Sequence, residues 1–374
     1  MKEQLHTPLL IEEGRSRSER VLPEICYYSR SRKAYWSPVT GHRSPVTIYG
    51  ACIALFCAAT LMTKSTYALD IQGHRGARGL APENTLPAFA KALAMGVGTL
   101  ELDCAITRDG VVVVSHDPAL NPDITRGPDG KWLQQAGPAI RTLTYQELQR
   151  YDVGRTNPAS AYGKRWPVQK PVDGTRIPRL ADVFALVKKS SNETVRFNIE
   201  TKISPLAPDE TTTPEDFARK LISAVRSAGM AERTAIQSFD WRSLAVVQKE
   251  APEIPTVYLT VEKGFMDSIQ ADKASSPWTA GFHVSRYSGS IPRMVKAAGG
   301  AVWSPYYAET TREQVKEAQA LGLKVVVWTV NDPAGMRRMI EWGVNGVISD
   351  RPDLLRKVAG EMGVPLPLAT PVRP

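Results

Sequence analysis

Runs of apolar residues alternate with amphipathic segments from residue 69 to residue 358. Apolar and polar residues alternate in Thr99–Ile106, which predicts a strand, whereas Leu86, Phe89 and Leu93 follow a helical spacing. Further runs of strand length are Leu69–Gly73, Val111–Ser115, Val195–Lys202, Thr234–Phe239, Thr256–Thr260, Gly300–Ser304, Lys324–Val330 and Gly346–Ser349. The segments of helical pattern are Asn84–Met95, Glu215–Ala228, Arg242–Glu250, Ile291–Ala298, Thr311–Leu321, Pro333–Trp342 and Pro352–Val358.

This repeated alternation predicts parallel strands joined by crossover helices. Eight of the runs begin such a unit, and eight units fit a (β/α)8 TIM barrel, an α/β fold of ~250 residues. We therefore predict a barrel domain over residues 69–360. A small inserted subdomain is expected after the second strand unit, at about residues 117–178, which are rich in Pro, Gly, Asn and Asp. A Pro-rich tail covers residues 361–374. The competing fold is a doubly wound open sheet, but no Gly-x-Gly-x-x-Gly motif follows the first strand.

Residues 1–68 have the features of a leader with a signal peptide. An uncharged apolar run from Ile48 to Met62 is short for a transmembrane helix and has the length of a signal h-region. Thr66 and Ala68 supply small residues at the −3 and −1 positions of a signal-peptide cleavage site, which predicts cleavage after Ala68. The preceding basic stretch is longer than an ordinary n-region, so we predict a true start downstream of the first methionine, at Val39. We expect an exported protein, periplasmic or extracellular, without a stable membrane span in the mature chain.

Charge and cysteine content add little to this picture. The 374-residue chain has a formal net charge of +9, and beyond the leader Lys and Arg number 38 against 33 Asp and Glu, or +5. A mildly basic body suits an anionic substrate, although solubility alone explains it equally well. Beyond the leader the only cysteine is Cys104, on the apolar face of a strand, and we interpret it as a small buried hydrophobic residue. We expect no nucleic-acid partner, and the oligomeric state stays open.

Carboxylates fall on one face of two predicted strands. Glu101 and Asp103 are two residues apart, as are Glu200 and Lys202, so each pair projects to one side of its strand. In a barrel the carboxyl ends of the strands line the active site, where three carboxylates would repel each other unless a cation or protons neutralise them. Oxygen ligands favour Ca²⁺ or Mg²⁺ over Zn²⁺. The alternative is an internal salt-bridge network with Arg75 and Lys202.

Two of the five histidines end apolar runs beside these carboxylates. His74 follows the first run and His116 follows the third, in Gly73-His74-Arg75-Gly76 and Val114-Ser115-His116-Asp117. Two imidazoles and a carboxylate cluster suit metal-assisted acid–base chemistry at a phosphate. The alternative is that each histidine is structural. His283 lies in a loop-like stretch without acidic neighbours, and we expect it to be peripheral to the site.

Other side chains are candidates for substrate contact. Arg75 can grip a phosphate bidentately, and Lys202 can supply a point charge. Trp303, Trp328 and Phe239 are candidates for pocket walls, although aromatic residues on strands more often belong to the core.

Together these motifs resemble the glycerophosphodiester phosphodiesterases of the exported bacterial type. The resemblance covers residues 70–357, and eight short motifs in one order are far more specific than any one of them. The motifs are His74-Arg75-Gly76, Pro82-Glu83-Asn84-Thr85, Glu101-Leu102-Asp103, Val114-Ser115-His116-Asp117, Asn198-Ile199-Glu200-Thr201-Lys202, Gln237-Ser238-Phe239, Trp328-Thr329-Val330-Asn331 and Asp350-Arg351-Pro352.

The resemblance implies metal-dependent hydrolysis of glycerophosphodiesters, such as glycerophosphocholine or glycerophosphoethanolamine, to sn-glycerol 3-phosphate and an alcohol. By matching positions, the implied general acid–base pair is His74 and His116. The implied ligands of a divalent cation, Ca²⁺ or Mg²⁺, are Glu101, Asp103 and Glu200. The implied substrate-binding residues are Arg75 and Lys202 for the phosphate and Trp328 for the glycerol.

Two rival functions stay open. A phospholipase-D-like or cyclising phosphodiesterase of the same barrel group would act on lysophospholipids and would favour apolar residues at the barrel mouth, whereas the insertion is polar. A secreted binding protein without turnover would keep the pocket, but such decay usually removes a catalytic histidine or a metal ligand, and all of these are present.

Overall fold

The computed structural model describes residues 69–263 and 266–374. The leader lies outside the described residues, and with it the predicted signal peptide, the cleavage after Ala68 and the start at Val39. Within the described part of the chain, no helix is both long and apolar enough to cross a membrane.

Eight parallel strands close into a barrel, in the order β1-β2-β4-β5-β6-β7-β8-β9 and back to β1. The predicted (β/α)8 fold is confirmed. A ninth strand, β3, extends the sheet as an antiparallel neighbour of β2. The strands are β1 Asp70–Gly73, β2 Thr99–Ile106, β3 Val112–Val114, β4 Arg196–Thr201, β5 Thr234–Ser238, β6 Thr256–Thr260, β7 Val302–Pro305, β8 Lys324–Val327 and β9 Gly346–Ser349.

Helices surround the barrel and cover its outer apolar faces. On β2, Leu100, Leu102 and Cys104 are fully buried against the helices, whereas Glu101 and Asp103 face inward. Cys104 is therefore a buried core residue, as predicted. The helices are α1 Leu86–Met95, α2 Tyr145–Leu148, α3 Leu180–Lys189, α4 Pro214–Ser227, α5 Trp241–Glu250, α6 Ile291–Ala297, α7 Arg312–Ala320, α8 Pro333–Glu341 and α9 Pro352–Glu361.

The segment between β3 and α3 forms the inserted subdomain. Apart from the single turn α2 and short 3-10 turns it consists of loops joined by isolated β-bridges. It has its own apolar cluster, in which Leu120, Ile140 and Leu148 pack against Val113 of β3. This cluster gives the subdomain an apolar core of its own that also packs on the edge strand.

The Pro-rich segment after α9 lies along the outside of α1. The backbone N–H of Thr370 donates to the carbonyl of Leu93 at 2.9 Å, and Arg356 donates to the carbonyl of Pro367 at 2.9 Å. Gly96, which ends α1 in the left-handed region at φ 85°, has no room for a Cβ, which would lie 2.7 Å from the Pro367 carbonyl oxygen.

Candidate active site

A cavity of about 660 Å³ opens at the carboxyl ends of the barrel strands. Seven of the eight predicted site residues line it: His74, Arg75, Glu101, His116, Glu200, Lys202 and Trp328. The eighth, Asp103, lies behind this lining with 1% of its surface exposed, and one of its carboxylate oxygens is 3.3 Å from Nε of Arg75. The structure therefore brings all eight predicted residues together.

The three predicted metal ligands form one cluster. Oxygens of Glu101, Asp103 and Glu200 lie within 4.8 Å of one another, and all three side chains are buried. The strand register produces this arrangement, because β2 and β4 pair with Asp103 opposite Glu200. Side-chain amides orient two of these carboxylates: Gln237 donates to Glu101 at 2.7 Å and Asn84 donates to Asp103 at 2.9 Å.

The electrostatics of this cluster suit a bound cation. Burial and the neighbouring Asp103 raise the pKa of Glu101, and burial raises the pKa of Glu200. Burial alone would raise the pKa of Asp103, but the positive charges of His116 and Arg75 outweigh burial and lower this pKa. Among the described residues, no donor hydrogen-bonds Oδ1 of Asp103, although it is buried, and Nζ of Lys202 stays 3.9 Å away. An unsatisfied carboxylate oxygen in an all-oxygen cluster fits a hard divalent cation.

His74 is held between two carboxylates. Its Nδ1 lies 2.7 Å from Oδ1 of Asp350, and its Nε2 lies 3.9 Å from Oε2 of Glu101. Because a carboxylate only accepts, the proton belongs on Nδ1, which leaves Nε2 for proton transfer. Burial lowers the pKa of His74 to about 4, although Asp350 opposes the shift.

The turn that carries His74 depends on a glycine before it and a strained residue after it. A Cβ on Gly73 would lie 2.1 Å from the carbonyl oxygen of Gly76, so the turn excludes any side chain there. Arg75 adopts φ 50°, in the left-handed region, and its backbone N–H thereby donates to Oε2 of Glu101 at 2.8 Å. The loop thus ties His74 and Arg75 to the acidic cluster.

His116 faces the cavity from the start of the insertion. Its Nδ1 lies 2.8 Å from Oδ1 of Asp117, whose other oxygen accepts from Asn121 at 2.7 Å. Burial and the cations Arg75 and Lys202 lower the pKa of His116. Each histidine therefore has one nitrogen oriented by a carboxylate, an arrangement that sets the tautomer of a catalytic imidazole.

The predicted phosphate-binding cations both contact the acidic cluster. Lys202 donates to Glu200 at 2.9 Å, and Nε of Arg75 lies 3.3 Å from an oxygen of Asp103, while Nη1 of Arg75 donates to Glu83, outside the cluster, at 2.5 Å. Nε of Arg75 is buried without a hydrogen-bond partner among the described residues, although Asp103 is near, so this guanidinium retains donor capacity.

An aromatic wall completes the cavity. Trp328 packs edge-to-face on Phe239 at 5.3 Å between ring centroids, and its indole N–H donates to the carbonyl of Ser304 at 2.9 Å. The suggestion that Trp303 also walls the pocket is wrong, because this residue is 1% exposed and packs in the core between barrel and helices. His283 is peripheral to the site, as predicted: it lies outside the cavity lining, with Nδ1 2.7 Å from the Ser285 hydroxyl.

The family model of the glycerophosphoryl diester phosphodiesterase family matches residues 74–354. The chain belongs to this family. A glycerophosphodiester phosphodiesterase of Caldanaerobacter subterraneus subsp. tengcongensis is 30% identical over 283 residues, which are 75% of this chain and 94% of that protein. Membership in this phosphodiesterase family confirms the predicted enzyme class, a phosphoric diester hydrolase.

Solved structures of glycerophosphodiester phosphodiesterases share the barrel. A structure described as a glycerophosphoryl diester phosphodiesterase from Silicibacter pomeroyi DSS-3 is 35% identical to this chain, with a TM-score of 0.71. The match covers 80% of this chain and 95% of that one. The Oleispira antarctica phosphodiesterase, solved with the product sn-glycerol-3-phosphate, has a TM-score of 0.57 at 20% identity and 79% and 98% coverage, and shows the common fold.

In this member of the glycerophosphoryl diester phosphodiesterase family, four further residues shape the site. They were not assigned roles from the sequence, and they are Arg78, Glu83, Gln237 and Asp350. Glu83, Gln237 and Asp350 lie in motifs on which the family resemblance rests, and this was the sequence signal that could have identified them. Arg78 lies just beyond the His74-Arg75-Gly76 motif, and its pairing with Asp350 joins loops that are distant in sequence.

Proposed function

We propose that the chain hydrolyses glycerophosphodiesters to sn-glycerol 3-phosphate and an alcohol, with His74 and His116 as the acid–base pair and a divalent cation held by Glu101, Asp103 and Glu200. The observation that carries this proposal is the convergence of both carboxylate-oriented histidines and the acidic cluster on one cavity. Family membership supports the substrate class.

A bound Ca²⁺ or Mg²⁺ would polarise a phosphoryl oxygen and offset its charge. The donor set fits either ion, because carboxylate oxygens are the ligands that both prefer. The raised pKa values of Glu101 and Glu200 support this role, because a bound cation would supply the counter-charge that favours their ionised forms.

The histidines would share the proton transfers. One imidazole nitrogen removes a proton from the attacking oxygen as its bond to phosphorus forms, and the other imidazolium protonates the departing alcohol as the second P–O bond breaks. The attacking oxygen belongs to water or to the 2-hydroxyl of the glycerol. In the second case a cyclic phosphate forms first and water then opens it.

The remaining predicted residues would hold the substrate. The guanidinium of Arg75 and the ammonium of Lys202, which both line the cavity, suit the equatorial phosphate oxygens. The half-buried Trp328 offers an apolar face to the glycerol carbons, and its packing on Phe239 fixes that face.

One observation favours lysophospholipids as a second substrate class. Besides His116 at its start, the described part of the polar insertion contributes Pro118 and Arg165 to the cavity lining, while apolar side chains come from the loops after β4 and β6, among them Ile203 and Met266. Leu206, in the same loop as Ile203, is 66% exposed. Apolar surface at a cavity mouth suits an acyl chain, so the polarity of the insertion does not exclude this rival.

The site of action is a separate proposal. The leader sequence supports export to the periplasm or beyond the cell, where the substrates would be products of phospholipid deacylation. Sequencing the N-terminus of the secreted protein tests it: a start at residue 69 supports cleavage after Ala68, and a mature protein that retains residues 1–68 contradicts it.

A turnover assay tests the proposed function directly. The purified protein is incubated with glycerophosphocholine in excess EDTA and then titrated separately with Ca²⁺ and Mg²⁺, while ³¹P NMR follows the products. We expect sn-glycerol 3-phosphate only after a cation is added, and a cyclic phosphate signal would identify the 2-hydroxyl as the attacking group. Full activity in EDTA would remove the cation from the mechanism.

The same assay with lysophosphatidylcholine decides the second candidate. Release of choline from this lipid, reduced at least fivefold in Leu206→Asp while glycerophosphocholine turnover persists, would establish an apolar subsite at the mouth. Absence of choline release excludes it.

A further inference from the structure

One segment of the inserted subdomain, residues 160–170, packs directly on the loop that follows β1. Gln169 donates to the carbonyl of Arg78 at 2.7 Å, and the backbone N–H of Lys170 donates to the carbonyl of Leu80 at 2.9 Å. The guanidinium of Arg78 stacks on the ring of Trp166, 4.8 Å from its centroid. The loop that carries His74 and Arg75 is therefore braced from outside the barrel.

Within this contact, the hydroxyl of Tyr162 joins two buried charged side chains. It accepts a hydrogen bond from Nη1 of Arg78 at 3.1 Å and donates to Oε2 of Glu83. Burial and Glu83 raise the pKa of Tyr162, so the hydroxyl keeps the proton that it donates. Burial works against ionisation of Glu83, but Arg75 and Arg78 outweigh it and lower the pKa of that carboxyl.

Glu83 thereby connects Tyr162 to the phosphate-binding candidate Arg75. Its Oε1 accepts from Nη1 of Arg75 at 2.5 Å while its Oε2 accepts from Tyr162, so each oxygen accepts a hydrogen bond from a different partner. Glu83 is 5% exposed and has little freedom to reorient. The direction of the Arg75 guanidinium is consequently set by a carboxylate that the insertion holds.

We propose that Tyr162 is a positioning residue that acts on Arg75 through Glu83, so that the inserted subdomain orients the phosphate-binding guanidinium. This inference rests on the proposed function, in which Arg75 binds the phosphate. The role belongs to the hydroxyl, since the subdomain has its own apolar core and its docking also uses Gln169, Lys170 and Trp166.

The first test removes only that hydroxyl. Tyr162→Phe keeps the ring and its edge-to-face contact with Trp166, at 6.2 Å between centroids. We expect kcat for glycerophosphocholine to fall about tenfold and KM to change less than twofold, because a displaced guanidinium loses mainly transition-state stabilisation. Activity is normalised to the folded fraction measured by circular dichroism, so that unfolding cannot imitate the effect.

The matched control is Tyr151→Phe, in the same subdomain. Within the described structure the hydroxyl of Tyr151 makes no hydrogen bond, while its ring packs on the subdomain core. We expect unchanged kcat and KM in this variant. An equal loss in both variants would mean that the subdomain supports the barrel only in a general way, and would overturn the proposal.

A double-mutant cycle tests the route through Glu83. In Glu83→Gln the carboxylate that links Tyr162 to Arg75 is lost, so adding Tyr162→Phe should cost less than twofold more. Fully additive losses would show that Tyr162 acts by another route, which contradicts the proposal.

The outcomes also separate this inference from the function beneath it. A wild-type protein that hydrolyses no glycerophosphodiester would defeat the proposed function and this inference together. Wild-type turnover retained in full by Tyr162→Phe would defeat the positioning role alone.

Discussion

Oδ1 of Asp350 lies 2.7 Å from Nδ1 of His74, although 276 residues separate them in the chain. The first and last barrel strands are neighbours, with Gly73 opposite Ser349, so the residues that follow them emerge side by side. Arg78 donates twice to Asp350, at 2.7 and 2.9 Å, and Asn331 donates once at 2.7 Å. These hydrogen bonds from Arg78 and Asn331 hold the carboxylate in the position in which it orients the imidazole of His74.

Replacing either cavity histidine should greatly slow turnover. We expect His74→Ala and His116→Ala to lower kcat for glycerophosphocholine by ~10² or more, as for the loss of a general acid or base. His283→Ala is the control, since this histidine lies outside the cavity, and its kcat should stay within about twofold of wild type. Steady-state kinetics with equal amounts of folded protein provide the measurement, and near-normal kcat in either cavity variant would contradict its role.

Asp350 should make the fold sensitive to acid. Burial disfavours its charge, but His74 and Arg78 outweigh burial and hold its pKa well below the ordinary value. A carboxyl with a lowered folded-state pKa stabilises the fold above its unfolded pKa of ~3.9, and this stabilisation is lost as the pH falls through the folded pKa. The difference in free energy of unfolding between wild type and Asp350→Asn should therefore be largest near neutrality and shrink below about pH 4.

Urea unfolding in EDTA at a series of pH values measures this difference. A constant difference between wild type and Asp350→Asn from pH 7 to pH 3 would show that the charge of Asp350 is not coupled to folding.

A cation should stabilise the protein independently of turnover. Binding to Glu101, Asp103 and Glu200 in the folded state adds ~2.7 kcal/mol when the cation is at a hundred times its Kd. We expect Tm to rise by several degrees when Ca²⁺ or Mg²⁺ replaces EDTA, and the rise to be much smaller in Glu200→Gln. Na⁺ at matched ionic strength is the control, and an equal rise with Na⁺ would mean that general screening is responsible.

The aromatic wall should act on substrate affinity. Trp328→Ala removes the apolar face proposed to contact the glycerol carbons, so we expect KM for glycerophosphocholine to rise about tenfold, ~1.4 kcal/mol, with a smaller change in kcat. Trp132→Ala, in the inserted subdomain and outside the cavity lining, should leave both constants unchanged. An unchanged KM in Trp328→Ala would remove this residue from the binding site.

The strands were predicted well because their patterns are local. The bounds of β2, β6 and β9 match the predicted runs, since alternation and turn residues mark both ends. Helix α3 was missing from the predicted helices. Its apolar positions Leu180, Val183 and Phe184 follow a helical spacing. Because the helix begins two residues after the expected insertion, it was not distinguished from the loops before it.

The partners of the site residues could not be predicted because they depend on contacts between distant loops. Nothing near Asp350 in sequence indicates a partner at residue 74, and nothing in the insertion marks Tyr162 as a neighbour of Glu83. Trp303 and Trp328 show that the position of a residue relative to the end of its strand decides whether its side chain enters the core or the cavity. Trp303 lies within β7, where Val302 faces the barrel interior and the next residue must face the helices, whereas Trp328 lies beyond the end of β8 and turns into the cavity.

The pairing of the first barrel strand with the last also bears on biosynthesis. Residue 74 leaves the ribosome long before residue 350, so a nascent or prematurely terminated chain holds one half of the His74–Asp350 pair and an open sheet edge. Catalytic competence would then require insertion of the final β-strand, and partly translated protein would have no hydrolytic activity toward the glycerophosphodiesters of the cell that makes it.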